Sequence, residues 1–600
     1  MKRVIQILLL LMIFAFLGCA VYSFMQKDIP ELISSSIRVY RLDRTLLLFY
    51  TYIPCVLFTG FLVGFAVVFG RSPEGSANRF SPAMFTRYKT VVLSALGVVV
   101  VLTAVTQILR PVTISNLNRL EYQPFLFREY MNIANDAMQK DNPALAYLYA
   151  DRAALIDPNS IEAAALKHDA EIAREDKETE SEPVVTEKPE VADTEGWSVY
   201  RLLQESKKAA EEGKWFNSHY YAELAVQAST PDDINLPEAK MAAAEAWNKL
   251  SDMDKIGDAQ MQDFFARKKA GYVALMNKET LKAYYIFNTL STTNGTIAAD
   301  PDVRRYLALA KQQLGKQYFF IDETYNLQKF ENIHSMHFSV CGPDNMKYIV
   351  LIRGVTDIKS EGNLIRYLRG LTVYSFDAAG SLTGSMTVPY AKMMAEPVSF
   401  FQKTDQKQFG LTPDLKNVPY ILLKSVDRKK EGIVIGPEYR TAEDEITEDH
   451  ADVLVLPMPY DDFGLIADSS NGPAQMEFFS LMQFFPKAVE YGYAGEVYGE
   501  EFTERILYPF VLLILLVFTA CFAWNYRIGK EQVFKFKWIF TLPFFSLFIY
   551  FILNCIEYMF KILNFTLGGL IGRQYATALA LFVYALLFFC VSFLFLSRKD

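Results

Sequence analysis

The sequence predicts a multi-domain membrane protein: six transmembrane helices, three on either side of an extracytoplasmic region made of α-helical repeats and a jelly-roll-like β domain. Three observations predict it. Six apolar runs stand in two sets at the chain ends. A long polar segment separates the sets, and near residue 317 that segment changes from helical periodicity to short β-type runs punctuated by turns. The boundaries are 1–110 for the first three spans, 111–316 for the helical region, 317–475 for the β domain, 476–505 for a connecting helix and 506–600 for the last three spans.

The apolar runs are 4–24, 45–70, 89–109, 506–524, 538–560 and 575–596. Each is near the ~20 residues that cross a hydrocarbon core. With six spans threaded, Lys2, Arg3, Arg71, Arg79, Arg87, Lys89, Arg527, Lys530, Lys535, Lys537, Arg598 and Lys599 fall on one side, which marks it as cytoplasmic. Arg38, Arg41 and Arg44 fall on the other side and weaken the bias locally. Leu17-Gly18-Cys19 behind a basic start resembles a lipoprotein cleavage box. The apolar run continues past it and Phe16 is a poor residue there, so the reading is an uncleaved helix.

From 122 to 314 small and aromatic residues recur in three related units. One holds Ala134, Ala146, Tyr147 and Ala153; the next Ala209, Trp215, Tyr221 and Ala225; the third Ala270, Tyr272, Ala283 and Phe287. Asp157-Pro158 and Asp300-Pro301 mark helix starts. The pattern is tetratricopeptide-like, with a plain helical bundle as the alternative. Residues 171–195 are highly charged, with two prolines and no aromatic before 195, and read as an acidic flexible linker.

Strand runs follow at 318–321, 336–340, 348–352, 365–376, 382–388, 420–423, 433–435, 453–456 and 463–467. Many short strands without intervening helices point to a sandwich or jelly roll. The central one is LRGLTVYSFDAAGSL at 368–382. In an extended chain Leu371 and Val373 share one face, Tyr374 and Phe376 the other, and Asp377 to Gly380 turns the chain back as a hairpin. After the β region, the segment from Met476 begins an amphipathic helix, and Tyr491-Gly492-Tyr493-Ala494-Gly495 interrupts the chain before the fourth span.

Composition bounds the chemistry. The 600 residues are 51% hydrophobic and carry a net charge of −8, with no basic field for nucleic acid. Five of the six cysteines lie in apolar runs and only Cys341 in the polar middle, which leaves no disulfide framework there. No P-loop and no Gly-x-Ser-x-Gly elbow occurs. His334, His337 and Cys341 have a spacing that invites a metal reading, but strand positions three apart point to opposite faces, so no metal and no cofactor is expected. Glu557, with Asn554 about one helical turn before it, is an ionisable group in an apolar run, and such a group reads as functional or as an interfacial residue.

The order of these features resembles the lipopolysaccharide-export permeases, the Lpt F and G or YjgP/YjgQ family. The likeness rests on Val373-Tyr374-Ser375-Phe376-Asp377-Ala378-Ala379-Gly380-Ser381-Leu382, on the Phe478–Leu481 helix, on Glu504-Arg505 leading to Pro509, and on Tyr52-Ile53-Pro54 in the second span. It covers roughly 1–110 and 317–600. It implies a non-enzymatic permease subunit in a bacterial inner membrane, with 111–505 in the periplasm. Its implied partners are a cytoplasmic ABC ATPase, a second permease subunit or a homodimer, and a membrane lipid or glycolipid. A lysine near the outer end of span one contacts lipid in that family, and Lys27 is the nearest match. Arg38, Arg41 and Arg44 would attract anionic head groups or anchor the interface. Val373 or Phe376 would line a lipid channel or pack a core, and Glu557 joins them as a lipid-binding candidate. Glu74, Arg79 and Arg87 are the candidates for coupling to the ATPase.

Three features depart from the family plan: the helical insertion, Ser72-Pro73-Glu74-Gly75 where a Ser-Glu docking helix stands, and a last span without its proline. The insertion would recruit a periplasmic protein, because stacked helix pairs form concave surfaces. A non-transporting envelope scaffold working through those repeats is the second expectation, and a membrane lipid-modifying enzyme a distant third.

Overall fold

A computed structural model describes residues 2–70, 79–180, 194, 196–253, 259–292, 300–360, 363–447, 451–470, 472–527, 537–571 and 573–598. The chain forms two compact units, one of Met1–Lys177 with Asp461–Asp600 and one of Glu178–Tyr460. The division falls inside the stretch read as an acidic linker, most of which lies outside the described residues.

The first unit is helical: α1 (Lys2–Met25), α2 (Ile37–Phe69), α3 (Pro82–Ala104), α4 (Arg110–Gln139), α5 (Pro143–Ile156), α6 (Ile161–Glu180), and later α14 (Asp462–Ser469), α15 (Phe478–Phe484), α16 (Gly495–Asn525), α17 (Lys537–Ile571) and α18 (Arg573–Leu596). Six segments are long and apolar enough to cross a membrane: Leu8–Met25, Ser34–Phe69, Pro82–Gln139, Gly495–Asn525, Phe544–Leu567 and Thr577–Leu596. This is the make-up of a multi-pass membrane protein. Phe58, Phe61, Phe65 and Phe69 of α2 pack with Val91, Ala95 and Leu102 of α3 and with Leu516, Ala520 and Trp524 of α16.

The third apolar run does not stop at 109. α3 passes through a π turn at Val105–Leu109 straight into α4. Pro111 lacks the N–H that an α-helix would use and crowds the carbonyl four residues back; the wider turn absorbs both defects without a break. The result is a 58-residue helical segment, Pro82–Gln139, roughly 87 Å long at 1.5 Å per residue. The helix α6 likewise runs to Glu180, into the stretch read as linker.

The second unit begins with α7 (Val199–Glu211), α8 (Trp215–Ala228), α9 (Leu236–Met253), α10 (Ala259–Met276), α11 (Thr280–Ser291) and α12 (Pro301–Leu314). α7 packs with α8, α8 with α9, α10 with α11 and α11 with α12, around a core of Phe216, Tyr272, Tyr284, Phe287 and Tyr306 with buried alanines among them. Asp300 caps α12 as its Asp-Pro sequence predicts, accepting from the backbone N–H of Asp302 and Val303 at 2.9 and 3.0 Å. Lys268, almost wholly buried, pairs with Asp300 at 3.0 Å and Asp302 at 2.7 Å.

Eleven strands and a short helix α13 (Lys403–Gln408) complete the described part of this unit. The strands β2 (Ile333–Cys341), β3 (Lys347–Ser360), β4 (Asn363–Phe376) and β5 (Leu382–Pro397) form an antiparallel meander. The far edge of β5 is shared: β9 (Glu438–Thr441) pairs with its first half and β6 (Asn417–Leu422) with its second. Beyond these lie β10 (Ile446–Thr447) and β11 (Val453–Val455). Apart from this sheet, β1 (Tyr318–Phe320), β7 (Lys424–Val426) and β8 (Val434–Ile435) make a three-stranded one in which β1 and β7 run parallel.

The hairpin of β4 and β5 closes as its sequence predicts. The Asp377 carboxylate accepts from the N–H of Ala379 and Ser381 at 2.9 and 2.8 Å, and Gly380 has φ +85°. Gly370, at φ +60°, shifts the phase of β4, so that Leu368 and Leu371, three apart, are both buried. One predicted strand is corrected. Residues 463–467 lie in α14, where Phe463, Ile466 and Ala467 are buried at helical spacing. A short apolar run reads equally as either element, and behind Asp461-Asp462 the helix prevails.

Candidate functional site

The lipid-facing candidates fall into two groups. In the first, the loop after α1 folds back onto α2. Ser23 Oγ donates to the Arg41 carbonyl at 3.0 Å, Arg41 Nη1 donates to the Phe24 carbonyl at 3.1 Å, and its guanidinium stands 5.6 Å from the Phe24 ring centroid. Arg44 Nη1 donates to the Asp28 carbonyl at 3.4 Å. These two arginines staple the loop. Lys27 and Arg38 are exposed. The same corner grips α4: Tyr40 OH donates to Glu121 at 2.9 Å, Arg128 pairs with Glu31 at 3.2 Å, and Tyr40 packs with Leu117 and Leu120.

The second group surrounds Glu557, which is exposed on α17. One turn on, Lys561 pairs with Glu504 of α16 at 3.0 Å. Arg505 donates to Glu501 at 2.8 Å and to the carbonyls of Met476, Pro473 and Ala474 at 2.7, 3.0 and 3.0 Å. Sequence reading found Glu557 but missed Lys561, whose ion pair is made with Glu504 of α16. The Glu-x-x-x-Lys spacing places Glu557 and Lys561 on one helical face but does not disclose the partner on α16.

At the other end of the spans, Arg87 and Arg527 both stand over the Trp524 ring, at 5.0 and 4.2 Å, and Arg598 Nη1 donates to Asn525 Oδ1 at 2.7 Å. Arg79 is exposed just before α3. Glu74 lies outside the described residues. In the sheet, Val373 is buried, cross-strand from Val350 and Met386, while Phe376 is half-buried beside an irregularity in the β4–β5 register. Tyr374 is exposed, so the two faces of the hairpin differ as the alternation requires.

The helical unit carries two adjoining cavities that sequence reading did not locate. One, of about 540 Å³, lies between α8, α9 and α10 and is lined by His219, Glu223, Lys240, Trp247, Tyr272 and Asn277 among others. The second, of about 700 Å³, shares Val273 and Asn277 and adds Lys269 and Lys282. His219 Nδ1 is 2.8 Å from the Tyr272 hydroxyl, and its ring lies 5.1 Å from that of Trp247. Burial drops the His219 pKa to about 4, so the imidazole is neutral. His334 and His337 are both exposed on β2, where Ser335 at φ +55° interrupts the alternation. Among the described residues no group of three His, Cys, Asp or Glu side chains is placed to hold a metal ion.

No family model matches the chain, and no curated protein is similar to it.

Proposed function

We propose that the chain is a permease subunit of an ABC-type export system that moves a lipid or glycolipid of lipopolysaccharide type out of a bacterial inner membrane. The observation that carries this reading is the union, in one chain, of six apolar helices with a long-stranded sheet that buries an aliphatic face of Val350, Ile352, Leu371, Val373, Met386 and Val388. A lipid leaving a bilayer needs such an apolar surface to follow, and the sheet is read as the jelly roll that receives it in the periplasm. Energy comes from a separate cytoplasmic ATPase docked near Glu74, Arg79 and Arg87, with a second permease subunit or a second copy completing the translocation path. Lys27 and Arg38, exposed at the other end, would meet anionic head groups.

A second reading is favoured by the cavities in the helical unit. Their walls combine Trp247 and Met276 with Lys240, Lys269, Asn277 and Lys282, a surface suited to an extended protein segment. In that reading the chain is an envelope scaffold and transports nothing.

Purification of the tagged full chain from its own membranes in mild detergent separates the two. A permease brings down an ABC ATPase in stoichiometric amount, and replacing 71–88 releases it. Recovery of periplasmic proteins alone, lost when 199–314 is deleted, overturns the transport reading and leaves the scaffold.

A further inference from the structure

Between α14 and α16 the chain presents large apolar side chains outward. Within eleven residues, Phe479 is 68% exposed, Met482 41% and Val489 62%, with Pro486 also exposed. Inward, Leu481, Phe484, Ala488 and Tyr491 are buried. Such a ridge is rigidly backed. The Phe484 ring packs on Tyr498 at 5.0 Å and on Tyr493 at 5.4 Å, and Tyr491 OH donates to Asp462 Oδ2 at 2.6 Å.

Three contacts fix its height on α16. Phe485 stacks on Phe502 at 4.3 Å, Phe478 stacks on it at 6.0 Å, and Arg505 holds the carbonyls of Pro473, Ala474 and Met476. Phe502 precedes Ile506, the first residue of the apolar run, by four positions, about 6 Å along a helix. The head-group zone into which interfacial helices sink is about 5–10 Å deep.

We infer that 478–489 is an interfacial foot: Phe479, Met482 and Val489 dip into the lipid leaflet at the N-terminal end of α16, the helix whose own Phe510 and Phe518 are exposed further along. Lipid is the occupant because the ridge is stacked on Phe502, about one helical turn before the apolar run of α16 begins. Its drive is apolar burial, not attraction to anionic lipid. Glu477, Glu490 and Glu496 around it are exposed acids, and Lys487 is already paired with Asp462 at 2.8 Å. The foot would hold α14 and α15 at a fixed depth whatever the chain transports.

The test uses the full chain in phosphatidylcholine vesicles, with a coumarin amino acid inserted by amber suppression at 479, so that native Trp and Cys do not interfere. Position 551, in the fifth apolar segment, is the bilayer control, and position 241, exposed on α9, the aqueous control. The foot predicts quenching at 479 by lipid spin-labelled high on the acyl chain, stronger than at 241, with protection from iodide. Adding anionic lipid leaves the quenching unchanged or weakens it. Iodide quenching equal to that at 241 overturns the proposal, and protection from both quenchers overturns it in favour of a covering protein. The label at 489, itself exposed, repeats the measurement independently of any local disturbance at 479.

Discussion

The two units solve the packing of helices in opposite ways. In the helical array of the second unit the largest side chains, Tyr272, Tyr284, Tyr306 and Phe287, are wholly buried, and each hydroxyl reaches a specific partner. Tyr306 donates to Asn217 at 2.9 Å, Tyr284 to the Arg428 carbonyl at 3.0 Å, and Tyr272 meets His219. In the apolar bundle the centre is phenylalanine. Most hydroxyls there turn back onto their own helix, as Thr59 does to the Cys55 carbonyl at 2.6 Å and Thr45 to that of Arg41 at 2.7 Å. Among the described residues, polar bonds that do cross between helices include Thr59 to Ser546, Tyr88 to Ser592, Tyr584 to Asn564 and Thr503 with Thr577. Water drives the first arrangement and rewards buried area, with these three tyrosine hydroxyls paired. Lipid offers no such drive, so close fit and a few cross-bonds hold the second.

The largest effect that separates the two is loss of a central ring. Tyr306→Ala empties the middle of the helical array and is expected to cost about 3–5 kcal/mol, as for other large-to-small core changes. Phe61→Ala, at an equally buried place in α2, loses contacts but little transfer free energy, because the unpacked helix is already in lipid. Its expected cost is clearly smaller. Denaturation of the full chain in detergent, followed by tryptophan fluorescence for the helical array in a background with Trp524 and Trp538 replaced by Phe, and by accessibility of Cys55 for the bundle, compares them. Equal losses would mean that the bundle is not lipid-solvated.

A smaller contrast comes from two glycines at close helix approaches. A Cβ on Gly271 would meet Ile286 Cγ2 at 2.9 Å and the Phe287 ring at 3.1 Å, whereas on Gly60 it would meet the end of the Leu8 side chain at 2.7 Å. The buried ring is fixed and the leucine methyl can swing aside. Gly271→Ala is therefore expected to cost about 1–3 kcal/mol, and Gly60→Ala less. The measurement is the shift in denaturation midpoint. A larger loss at Gly60 would show that α1 and α2 pack without slack.

Much of this was legible in the sequence. The six apolar runs, the Asp-Pro cap at Asp300 and the hairpin at Asp377 are local signals, and each appears where the pattern puts it. Long-range consequences were not legible. Pro111 reads as a breaker, yet a π turn carries the helix through it, a resolution that depends on packing along α3 and α4. Nor does any pattern announce that Arg41 and Arg44 turn to backbone carbonyls while Lys27 and Arg38 remain exposed, since Lys27 stands in the loop after α1 and the three arginines share the first turns of α2. The pairing of Lys561 with Glu504, on different helices 57 residues apart, needed the fold. The groove beside His219 needed it too, because its walls come from three helices.

That histidine gives the mildest way to set the two packing modes apart. Its pKa falls from an ordinary 6.5 to about 4 on folding, because burial penalises the charged ring. Glu223 at 3.8 Å favours the charged form but is outweighed. Between those two values the unfolded chain binds a proton that the folded chain refuses. Stability of the helical array should therefore be level near pH 7 and fall as pH drops from about 6.5 towards 4. The exposed aromatic surfaces of the apolar bundle carry no such buried imidazole among the described residues, since His168, His219, His334 and His337 lie elsewhere and His450 is outside them. His219→Gln, which keeps a polar partner for the Tyr272 hydroxyl, should flatten the array's melting temperature across that window and leave the bundle's acid response as it was. If the slope survives the substitution, the acid sensitivity of the array does not come from His219.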